Sequence, residues 1–70
     1  DRVLVAGVVA ECCVLATALS LIDAGANTLY LTDAVAGQSP AFEAMAQNIV
    51  ATFAPIHGSV LTVDDYLAGL

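Results

Sequence analysis

Apolar residues run through this chain in blocks of differing period. Val3 to Val8 is a continuous apolar run rich in valine, which predicts a parallel strand covered on both faces. Beyond Val9, Ala10 and Glu11 the chain turns to Leu and Ala, predicting a helix from about Cys12 to Ala24. Its polar side chains past the first turn are Thr17, Ser20 and Asp23, spaced three apart. They make one narrow stripe, so the helix is expected to be largely buried. Gly25 is placed to end it as the C′ residue. Thr28 to Thr32 reads as a second strand with Asp33 at its carboxyl end, and Ala34 to Gln38 as a loop.

Ser39 followed by Pro40 marks a helix start, an N-cap with proline at the first helical position. The helix is expected to reach about Phe53. Phe42, Met45, Ala46, Ile49, Val50 and Phe53 share one face, expected to be core or a subunit interface. Pro55 ends that region, His57-Gly58 marks a turn, and Ser59 to Val63 reads as a third short strand. Thr62 with Asp65 three residues on resembles a capping box and predicts a last helix, Val63 to Ala68. Strand and helix alternate three times, the pattern of a parallel sheet with right-handed crossovers. Ligands of such sheets sit beyond the carboxyl ends of the strands. Cys13 and Asp33 both follow such ends.

Composition sharpens this picture. Of 70 residues, 60% are hydrophobic and 11% charged, yet a domain this short buries only about 60% of its unfolded surface. The surplus needs a cover, from the same protein or from other subunits. Arg2 leads directly into a strand-like run, so the chain is expected to be the C-terminal part of a larger α/β domain. The net charge of -6, with Arg2 the single Lys or Arg, argues against nucleic acid and against an anionic membrane surface. Val3 to Ile22 is long enough to span a bilayer. Glu11 would then lie near the midplane, and the change from β-branched to Leu/Ala composition points instead to two elements. No signal-peptide pattern is present, and two adjacent cysteines do not make a disulfide framework. The expected compartment is the cytoplasm.

Candidate chemistry centres on Cys13. A thiol at the start of a helix lies near unpaired N–H groups and the positive end of the dipole, a setting that favours thiolate. Free cysteine also packs well in cores, and that alternative stands beside the first. Cys12, its neighbour, points to another side of the helix and is expected to pack. Glu11 either anchors the turn or is a solvated or subunit-facing carboxylate. Asp33 is expected to cap or turn the chain, and His57 to sit in a surface turn. Two adjacent thiols without further ligands make a poor metal site. Gly7 stands alone, without the glycine pattern of a phosphate loop.

The segment Gly7-Val8-Val9-Ala10-Glu11-Cys12-Cys13-Val14, followed by Ala16-Thr17-Ala18, resembles the nucleophile segment of the isochorismatase-like cysteine hydrolases. Ala24-Gly25, Leu29 to Asp33 and Val60 to Leu67 continue the likeness. The resemblance implies a three-layer α/β/α, Rossmann-like fold with a parallel sheet, of which this chain is the C-terminal βαβαβα portion. It also implies hydrolysis of a small amide or related C–N substrate through a thioester, without cofactor or metal, often in a homo-oligomer. Cys13 would be the nucleophile, and the backbone amides of Val9 and Cys13 the oxyanion hole. A non-proline cis peptide would fall between Val8 and Val9. The family's other two catalytic residues, an Asp and a Lys, precede this segment, and the 70 residues contain no lysine. Ala10 replaces the family's threonine. The cysteine itself points away from isochorismatase proper. The second class of reading is a non-catalytic α/β assembly module in which Cys13 only packs.

Overall fold

A computed structural model of the chain describes residues 2–53 and 58–70. Three parallel strands, β1 (Arg2–Val8), β2 (Asn27–Ala36) and β3 (Gly58–Leu61), form one sheet in the order β1-β2-β3. Between β1 and β2 lie a π-helical turn, Ala10–Val14, and helix α1, Leu15–Asp23. Helix α2 (Pro40–Ala51) joins β2 to β3, and α3 (Val63–Ala68) follows β3. The architecture is α/β with a parallel sheet, as the alternating pattern predicts. No helix among the described residues is long and apolar enough to cross a membrane, because the Val3 to Ile22 run divides between strand and helices.

The helix ends follow from local chemistry. Gly25 adopts a positive φ of 84° directly after α1. The Gly25 N–H donates to the Ile22 carbonyl at 3.0 Å and the Ala26 N–H to the Leu21 carbonyl at 2.9 Å, completing a Schellman motif. Ser39 Oγ accepts from the Phe42 N–H at 3.2 Å, with Pro40 beginning α2. Thr62 Oγ1 accepts from the Asp65 N–H at 3.1 Å, and Asp33 Oδ1 accepts from the Val63 N–H at 2.9 Å. Asp33 therefore caps α3 from across the sheet. Ser39→Ala is expected to cost about 1 kcal/mol, read as a lower urea midpoint with unchanged slope.

The core gathers Val5 of β1, Ala10 and Val14 of the π turn, Ala18 and Ile22 of α1, Tyr30 and Val35 of β2, and Ala46 and Val50 of α2. Several expectations need correction. β1 is not covered on both faces by these residues: it is an edge strand, only Val5 is buried, and Val8 is 67% exposed. In α1 only Ala18 and Ile22 are buried, so the helix is not enclosed here. The apolar face of α2 divides. Small Ala46 and branched Val50 point inward, while Phe42, Met45 and Ile49 stay exposed. β2 runs past Asp33 to Ala36, because Val35 and Ala36 pair with Gly7 and Val8 beyond a register shift. β3 ends at Leu61, since Thr62 serves as the cap of α3. His57 and Pro55 lie outside the described residues.

Candidate active site

The corner between β1 and α1 is built by an unusual backbone. The Val8–Val9 peptide bond is cis, and Val9 is extended, with φ -98° and ψ 134°. The Val9 carbonyl then accepts from the Cys12 N–H at 3.0 Å and the Val14 N–H at 3.2 Å. The Cys13 N–H, between those two donors, is not bonded to that carbonyl. The bond from Val14 spans five residues, and the Leu15 N–H likewise reaches back to the Ala10 carbonyl. One widened π-type turn thus precedes the α-helix, where a single helix from Cys12 was expected. Such turns are frequent at functional sites. Ala10, fully buried beneath the turn, fixes it to the core.

Cys12 and Cys13 are both exposed free thiols. Cys13 therefore does not pack in the core that these residues form. It lines an open cleft of about 230 Å³ along the free edge of β1, with Val5, Val8, Val14, Thr17 and Leu21 among the walls. Cys12 is pushed above the usual cysteine range, chiefly by its hydrogen bond to and charge repulsion from Cys13, with smaller contributions from desolvation and Glu11.

Glu11 does anchor the turn. Its Oε2 accepts from the Gln38 N–H at 3.2 Å, joining the π turn to the loop between β2 and α2. Glu43, in the first turn of α2, accepts from the Gly37 N–H at 3.0 Å. A Cβ at Gly37 would sit 2.5 Å from Glu11 Oε1 and 3.0 Å from Glu43 Cγ, so the Glu11 carboxylate would have to shift to admit one. Sequence reasoning did not assign roles to Gly37 or Glu43. Glycine two residues before a helix cap, with an acidic residue in the following first turn, was the available signal. Asp33 is not drawn into the cleft, being committed to α3. No group of three or more His, Cys, Asp or Glu among the described residues is placed to hold a metal ion.

A family model described as the isochorismatase domain matches residues 1–65. Among solved structures, an isochorismatase-like hydrolase from Alkaliphilus metalliredigens is similar at a TM-score of 0.86 and 26% sequence identity. That likeness covers 99% of this chain and 36% of the other, so the chain spans little more than a third of that hydrolase's length. No match is found among curated proteins. The family match extends over the cis-bonded corner, the parallel sheet and helices α1 and α2, and the chain belongs to the isochorismatase domain family.

Proposed function

We propose that the protein is a cysteine hydrolase acting on a small amide or related C–N substrate, with Cys13 as nucleophile. The observation that carries this reading is an exposed thiol in an open cleft at a strand-to-helix corner, in a chain of this family. The Cys13 thiolate adds to the carbonyl carbon, and the resulting oxyanion is held by the Val9 and Cys13 amides. Two fixed N–H donors are worth several kcal/mol to such an intermediate. The place of Cys13 in the π turn supports this role, because its N–H takes no part in the bonds to the Val9 carbonyl. The general base that takes the thiol proton returns it to the amine, whose C–N bond then breaks to leave a thioester. Water, deprotonated by a general base, then adds to the thioester carbonyl and releases acid and thiol.

Base and cation come, in this reading, from outside the 70 residues, which contain no lysine. The apolar open edge of β1 supports a sheet continued by further strands, since an uncovered edge invites non-specific pairing. The exposed Phe42, Met45 and Ile49 supply a surface for the homo-oligomer. The cytoplasm remains the compartment expected for a reduced thiol nucleophile.

Iodoacetamide labelling of the full-length protein tests the reading. Near pH 7, Cys13 should label faster than free cysteine, whose pKa is about 8.5. Cys12 should label more slowly than free cysteine, since a raised pKa leaves less thiolate below it. Equal and slow labelling of both thiols in a folded protein would remove the case for an activated nucleophile.

A further inference from the structure

Glu11 sits two residues before Cys13, and the hydrolase reading gives it no task. Its Oε2 takes the Gln38 N–H across 27 residues of chain. Its Oε1 is cut off from solvent and finds no hydrogen-bond partner among the described residues. An unpaired buried carboxylate oxygen is costly. The described residues also offer no compensating cation, for Arg2, the only Lys or Arg, lies over the Tyr66 ring at 5.9 Å. The groups around the carboxylate are Cys12 on its own turn, Tyr30 from β2 and Glu43 from α2. A carboxylate beside these thiols opposes a thiolate electrostatically, as it does at Cys12, so any benefit to Cys13 is mechanical.

We propose that Glu11 is a positioning residue, strapping the π-helical turn that carries Cys13 to the loop between β2 and α2. The inference rests on the reading of Cys13 as nucleophile. The strap is shared: Glu43 holds Gly37 from the α2 side, Glu11 holds Gln38 from the turn side, and the bare Gly37 lets the two carboxylates approach. Reactivity of the thiol then depends on a loop distant in sequence, because the N–H groups that favour thiolate are held in place through it.

Charge and position predict opposite signs, which makes the test decisive. In the full-length protein, Glu11→Ala removes both the charge and the strap. Glu11→Gln removes the charge but keeps an oxygen able to accept from Gln38. Gly37→Ala keeps the charge and displaces the carboxylate. The strap predicts that Glu11→Ala and Gly37→Ala slow iodoacetamide labelling of Cys13 near pH 7 by about tenfold. Glu11→Gln should label as fast as the wild type or faster. Hydrogen exchange at the amides of Cys12, Cys13 and Val14 should accelerate in the Ala variants only. Wild-type or faster labelling in both Ala variants, with unchanged exchange, would overturn the inference. A wild-type Cys13 no faster than free cysteine would instead sink the nucleophile reading and the functional half of this one. Exchange would then still decide whether the strap exists.

Discussion

Replacing Cys13 by alanine is expected to lower kcat/KM for amide hydrolysis by at least about 10³-fold, with the fold intact. The side chain is exposed, so its truncation leaves no cavity in the core. All of the loss therefore falls on chemistry. Cys12 does not take over: it is not among the walls of the cleft that Cys13 lines, and its neighbour holds it protonated above the usual cysteine range. Cys12→Ala should accordingly keep most of the activity. The pair of variants, assayed with a panel of small primary amides and checked by circular dichroism, separates nucleophile from neighbour. Equal activity in Cys13→Ala and wild type would refute the assignment.

The largest effect on stability is expected at Tyr30. It is 1% exposed and sits in the middle strand, among Val5, Val14, Ala18 and Val50. Tyr30→Ala should cost about 3–5 kcal/mol, by analogy with other buried aromatic truncations. A typical domain has about 5–15 kcal/mol in all, so the urea midpoint should fall by a large fraction. Burial, and then the nearby Glu43 and Glu11 carboxylates, push the Tyr30 phenol above its usual range. The sign follows directly. In the unfolded chain the phenol ionises near pH 10, roughly its unperturbed value, while the folded chain resists ionisation there. The associated stability is complete below that pH and is lost as pH rises through it. Tyr30→Phe, which fills nearly the same volume, should lessen the alkaline loss. A wild type whose urea midpoint is flat between pH 9 and 11 would contradict this account, the range being set by the roughly known tyrosine pKa.

The alternation of strands and helices was legible because each element carries its own local signal. Gly25, Ser39-Pro40 and Thr62 with Asp65 mark ends whose hydrogen bonds lie within a few residues in sequence, and those bonds form. What escaped depends on partners far away. The carboxyl half of β2 is a strand only because Gly7 and Val8 pair with it. Asp33 was expected to cap or turn the chain and it does cap, but the helix it serves lies 30 residues on, where no local signal points. The π turn has no compositional mark. It comes from the geometry of the corner at Val9, which places one carbonyl under two later amides. Within these 70 residues β1 and α1 are less covered than their patterns ask, since a hydrophobic pattern says that a face wants cover but not which residues provide it. The strand-to-helix corner was read from the residue pattern, its cis bond from resemblance to a family, and Glu11's partner from nothing in the sequence.

The central claim is that the sulfur of Cys13 becomes acylated. It is tested most directly by mixing the full-length protein with an amide that it turns over, quenching in acid within a turnover, and mapping the peptides by mass spectrometry. The account predicts an acyl group on Cys13, removed by hydroxylamine and absent from Cys12 and from the Cys13→Ala variant. Turnover without any such adduct, continuing undiminished in Cys13→Ala, would contradict it.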